Sequence, residues 1–64
     1  MALFFRVIEL GADRWACRHG TLEYDTHPVM SEAINHITAL AADQRPAELF
    51  LHRLDGSMRR LGTV

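Results

Sequence analysis

Three groups of side chains in this 64-residue chain are of types that could do chemistry. Cys17 and His19 stand two apart, as a thiol and a base would on one strand face. Adjacent same-face strand positions lie roughly 7 Å apart, however, beyond the hydrogen-bond reach that a nucleophile and its base require. No acid is fixed nearby to orient His19. A free cysteine is most often a buried one, so Cys17 reads as core and no catalytic residue is expected. Glu32 and His36 stand at i and i+4, where two metal ligands would share one side of a helix. A zinc site needs three or four ligands, and no sequence pattern brings His19 or His27 to that pair. Solvated helix surface is the simpler reading, and neither a metal nor a cofactor is expected. Arg59 and Arg60 form the third group, with Arg6, His52 and Arg53 on other segments and Phe50 able to stack on a base.

The stretch from Ala47 to Leu61 decides which of these residues share a face. It reads as two strands closed by a two-residue Asp55-Gly56 turn of type I′, which needs positive φ at both positions. Leu54 then faces Ser57, His52 faces Arg59, and Phe50 faces Leu61. Alternation puts Phe50, His52, Leu54, Arg59 and Leu61 on one side, and Leu49, Leu51, Met58 and Arg60 on the other. Arg59 and Arg60 are split between faces. Both faces are substantially apolar, and one helix can cover only one of them.

Upstream, Leu3 to Leu10 is rich in β-branched and aromatic residues and ends in Gly11-Ala12-Asp13, a strand followed by a turn. Arg14 to His19 places Trp15, Cys17 and His19 on one face of a second strand, which Gly20 breaks. Thr21 to Tyr24 suggests a short third strand before Asp25-Thr26-His27-Pro28. From Pro28 the period changes: Met30, Ala33, Ile34, Ile37, Leu40 and Ala41 fall on one helical face. Glu32, Asn35, His36 and Asp43 fall opposite. Pro28 suits a first helical turn, where its missing amide hydrogen costs nothing, and the helix should run to about Asp43. No linker or internal repeat is visible. The sum is a single small α+β domain over residues 1–64, a mostly antiparallel sheet in ββ(β)αββ order with one helix packed on one face. Its expected core is Phe5, Val7, Trp15, Cys17, Ile34, Ile37, Leu40, Leu49 and Leu51.

Composition sets the outer limits. The chain is 48% hydrophobic and 23% charged, as an ordinary globular domain is. Its opening apolar run is too short to span a membrane and lacks the basic start and cleavage site of a signal peptide, so a cytoplasmic protein without a membrane partner is expected. So small a domain buries only about 60% of its unfolded surface. One cysteine excludes an internal disulfide, which leaves association as the expected supplement to stability. The net charge of −1 gives no global cationic field for phosphate binding. All seven basic residues are arginine, the better residue for bidentate and stacked contacts.

Trp15-Ala16-Cys17, Ser31-Glu32-Ala33-Ile34, Ala47-Glu48-Leu49-Phe50-Leu51-His52 and Asp55-Gly56, in this order and spacing, resemble the bacterial and phage-borne domain-of-unknown-function family 2188. The resemblance spans about residues 5–62. It departs from the usual pattern at Cys17, where valine is common, and in a longer stretch between Gly20 and the helix. What it implies is a small α+β fold; it carries no catalytic residues to transfer.

The face left uncovered by the helix is expected to hold Phe4, Arg6, Ile8, Phe50, His52, Leu54, Arg59 and Leu61. Aromatic, aliphatic and arginine side chains together are what interface centres are enriched in. The preferred reading is therefore a non-enzymatic binding module that covers a surface of a partner protein or of its own twin. A sharper version is a phage or mobile-element inhibitor of a host complex, in the style of anti-CRISPR proteins. Nucleic-acid binding through an Arg6–His52–Arg59 stripe on the same face is the alternative, and an enzyme ranks third because so short a chain has little interior for a pocket.

Overall fold

The computed structural model describes residues 3–64. Five strands and one helix follow in the order β1 (Leu3–Gly11), β2 (Arg14–His19), β3 (Leu22–His27), α1 (Met30–Ala42), β4 (Ala47–His52) and β5 (Met58–Thr63). They build one mixed sheet ordered β3-β2-β1-β4-β5, with α1 packed across β1 to β4 on one side. This is the expected α+β architecture. Three of the four strand pairs are antiparallel, while β1 and β4 at the centre run parallel. The parallel pair follows from the connection, because α1 carries the chain from one edge back over the sheet before β4 begins.

The predicted core is the observed one. Phe5, Val7, Trp15, Cys17, Ile37, Leu49 and Leu51 are buried in a single cluster, and Ile34 and Leu40 pack against it half-buried. Ala33, Ala41 and Ala47 are also fully buried, small residues that let α1 approach the sheet closely. Each helical residue expected to face inward does so. The polar side carries Glu32 and Asn35 into solvent, as expected.

Two expectations are corrected. First, β3 is longer than Thr21–Tyr24 and runs through Asp25, Thr26 and His27. A residue that precedes proline is pushed into extended backbone, so Pro28 prolongs the strand instead of opening the helix. The helix begins at Met30, after an extended Val29 with φ −131° and ψ 147°. At the other end of β3, the Gly20-Thr21 turn has positive φ at Gly20 alone (61°), the type II′ pattern.

Second, the β4–β5 loop is not a type I′ turn. Among the described residues only glycines have positive φ, so Asp55 does not adopt the conformation that turn requires. Its carboxylate accepts the Ser57 amide at 2.8 Å, Gly56 donates back to the Arg53 carbonyl, and Gly56 alone is left-handed at φ 87°. That is a three-residue Leu54-Asp55-Gly56 loop, closed by the Arg53 amide on the Ser57 carbonyl. One extra loop residue shifts the whole partner strand: His52 faces Met58, Leu51 faces Arg59, and Phe50 faces Arg60. A one-residue slip exchanges the faces of a strand. Met58 and Arg60 therefore join the face opposite the helix, while Arg59 turns to the helix side. Leu61 sits at a bulge and packs against the core.

Candidate functional site

The face away from the helix is read from register. Across it runs one row of paired residues, Arg18 on β2, Arg6 on β1, Phe50 on β4 and Arg60 on β5. A second row places Ala16, Ile8, His52 and Met58 side by side. Of the eight residues expected on this face, Phe4, Arg6, Ile8, Phe50 and His52 are there. Leu54 lies in the loop beyond the strands, 62% exposed, its amide held by the Glu9 carboxylate at 3.0 Å. Arg59 and Leu61 lie on the other side, for the reason of register just given.

Several of these side chains enclose an open groove of about 610 Å³. Leu3, Phe4, Phe50 and Met58 form its apolar walls, with Arg6, His19, Gly20 and His52 around them. The Phe4 and Phe50 rings meet edge to face, 5.6 Å apart at 71°. Such a pairing adds about 0.5–1.5 kcal/mol beyond area burial and fixes both rings in place. Phe4 nevertheless remains 54% exposed and Met58 60%. The polar groups are held locally. Arg6 donates to the Gly20 carbonyl at 3.0 Å, Arg60 to Glu48 at 3.0 Å, and His19 meets the Phe4 carbonyl at 2.9 Å while stacking on Phe5. The Nε of Arg18 is buried without a hydrogen-bond partner among the described residues.

Sequence reasoning missed Met58, Arg18 and Arg60 on this side, and Leu3 at the strand end that closes the groove. Strand alternation already set Arg18 opposite Trp15 and Cys17, which are core. Met58 and Arg60 depended on the loop length, which the Asp-Gly pair alone does not specify.

A second constellation lies at the opposite side, where β3 meets α1. Cys17 from β2, Asp25 and His27 from β3, and His36 from α1 bring one ligand atom each to within 4.8 Å of one another. Asp25 Oδ2 is 2.9 Å from His36 Nδ1, and its Oδ1 is 3.0 Å from His27 Nε2. The two ring nitrogens stand 3.2 Å apart. Cys17 is fully buried and its thiol donates to the Ala33 carbonyl at 3.3 Å. Burial first, and then the neighbouring Asp25 charge, push that thiol up to about 12. His19 is turned to Phe5 and the Phe4 carbonyl, while the Cys17 thiol donates to Ala33, so the two do not pair. The Glu32–His36 pairing is also replaced: His36 turns to Asp25, while Glu32 stands 3.9 Å from His27 Nδ1.

The family model for an uncharacterized protein conserved in bacteria (DUF2188) matches residues 6–60, most of the chain, and the protein belongs to that family. No curated protein and no solved structure matches.

Proposed function

We propose that this member of the uncharacterized bacterial family is a cytoplasmic, non-enzymatic binding module whose groove on the open sheet face takes a segment of a partner protein. The observation that carries the reading is the apolar groove built from Phe4, Phe50, Leu3 and Met58 on the face that α1 does not cover. The segment is apolar with a carboxylate beside it. Its apolar side chain fills the cleft between Phe4 and Met58, and its acid meets Arg6, whose guanidinium Gly20 holds at the groove wall through one carbonyl. Aromatic and arginine side chains in one water-excluding patch are the usual centres of binding energy.

A library of displayed peptides selected against the tag-free protein tests this. Enrichment of sequences that pair aromatic or aliphatic residues with Asp or Glu supports it, provided that Phe4→Asp and Arg6→Glu each lower affinity at least about tenfold, as loss of a central contact would. Enriched peptides that bind Phe4→Asp as well as the parent would overturn the groove assignment. A salt-dependent preference for single-stranded nucleic acid over every peptide would transfer the reading to phosphate binding. Sedimentation showing a dimer that Phe4→Asp dissolves would make the occupant a second copy of the chain.

The narrower form of the reading is an inhibitor that covers a surface of a host complex, as anti-CRISPR proteins do. What supports it is the small size and the open apolar groove on the sheet. Acidic DNA mimicry draws little support from a net charge of −1. Restored plaque formation on a CRISPR-immune host expressing the protein would favour this form, and unchanged immunity would remove it.

A further inference from the structure

From the convergence of Cys17, Asp25, His27 and His36 we infer a binding site for a zinc-class divalent transition-metal ion at the edge where β3 meets α1. The donors are one thiol sulfur, one carboxylate and two imidazoles, the mixed soft and borderline set that such ions prefer over calcium or magnesium. A tetrahedral ion with bonds of about 2.0–2.3 Å sets ligand-to-ligand edges of about 3.3–3.7 Å. The two imidazole nitrogens stand 3.2 Å apart, close to such an edge, each is about 3 Å from an Asp25 oxygen (Oδ1 for His27, Oδ2 for His36), and the cysteine sulfur lies inside the same 4.8 Å circle.

Protons satisfy this geometry poorly. If both ring nitrogens donate to the single carboxylate of Asp25, they confront each other as two donors at 3.2 Å. If one of them accepts instead, Asp25 loses a donor. An ion at the common centre replaces those protons and gives one atom of each of the four side chains a partner at once. Further features fit: Glu32 lies on the remote side of His27, 3.9 Å from its Nδ1 and one rotamer shift from a supporting hydrogen bond, and the partly exposed edges of Asp25 and His36 leave an entry path. Binding deprotonates the Cys17 thiol, forms a metal–sulfur bond and releases the proton to solvent.

The ligands come from β2, β3 and α1, so the ion would tie an edge strand and the helix to the sheet interior. This is the staple that so small a domain, with one cysteine, otherwise lacks.

Cobalt(II) titration of tag-free, metal-free, reduced protein is the test. The expected result is intense visible absorption of a tetrahedral ion together with a near-ultraviolet thiolate-to-cobalt band, saturating at one ion per chain, displaced by zinc, and accompanied by a higher unfolding midpoint. His36 is half-exposed, so His36→Gln should keep the fold by circular dichroism yet weaken zinc binding at least about tenfold, the scale on which even supporting residues act. Cys17→Ser should remove the near-ultraviolet band. A pale octahedral spectrum without the thiolate band, or unchanged zinc affinity in folded His36→Gln, would overturn the site.

Discussion

Cys17 shows how one residue's surroundings set its chemistry. Its sulfur is fully buried in the core cluster and lies beside the Asp25 carboxylate, so the thiol holds its proton up to about 12. The thiolate is the reactive form, so alkylation of the metal-free folded protein at mildly alkaline pH should run slower than that of the unfolded chain by a factor on the order of a hundred to a thousand. Timed labelling with and without denaturant, read by mass spectrometry, measures it; equal rates would show that the thiol is accessible. Asp55 illustrates the opposite shift. Hydrogen bonds from Ser57 hold its carboxyl below the usual carboxylate range. A depressed folded value contributes stability above the unfolded pKa and loses it as pH falls through the folded one. NMR titration should therefore find the Asp55 carboxyl protonating below the usual carboxylate range, and Asp55→Asn should remove that acid dependence of the loop.

At the scale of elements, the β4–β5 hairpin carries the most consequence. Gly56 at φ 87° lets the three-residue loop close, and that loop sets which of Met58, Arg59 and Arg60 meets the groove. Gly56→Ala places a side chain in left-handed backbone and should cost about 1–2 kcal/mol in urea unfolding. The space around the glycine is open, so the loss would come from conformation and not from a clash. Glu9 anchors the same loop by accepting the Arg53 guanidinium at 3.1 Å and the Leu54 amide at 3.0 Å, while Arg53 lies over the Trp15 ring at 5.6 Å. Glu9→Ala should cost about 1–2 kcal/mol through these bonds, and hydrogen exchange at the Leu54 amide should accelerate with it. Exchange that stays unchanged would mean that the loop is held by its own turn alone.

Over the whole molecule, the sheet has one face sealed by α1 and one face open. The two faces should respond differently to the same substitution. Phe5→Asp buries a charge without a partner and should unfold the domain, whereas Phe4→Asp, one residue away but 54% exposed, should leave it folded at a cost of about 1–2 kcal/mol, mostly the lost contact with Phe50. Circular dichroism and thermal melts of both variants decide it. Matching losses would mean that the open face belongs to the stabilising core, and would count against the proposal that the groove docks a partner. Within the sealed side, Ile37→Ala should cost about 2–5 kcal/mol, because the helix has no other large residue buried as fully against the sheet.

The amino-acid sequence by itself determined the element types, their order and the core. Period-two runs, a period of three and four from Met30 to Ala41, and the glycines and prolines between them are local signals, and local backbone and side-chain physics is enough to act on them. The split of Phe5 and Val7 from Phe4, Arg6 and Ile8 was readable on the same ground. Tertiary structure decided the rest. The length of one loop turned Arg59 inward and Arg60 outward, since a strand's pairing register reverses its faces with a single residue. The return of the chain over the sheet set β4 parallel beside β1, and so brought Phe4 against Phe50. Asp25 and His27 stand two apart on β3, but Cys17 and His36 lie eight and nine residues away on other elements. Only the packing of α1 against β2 and β3 gives them a common centre.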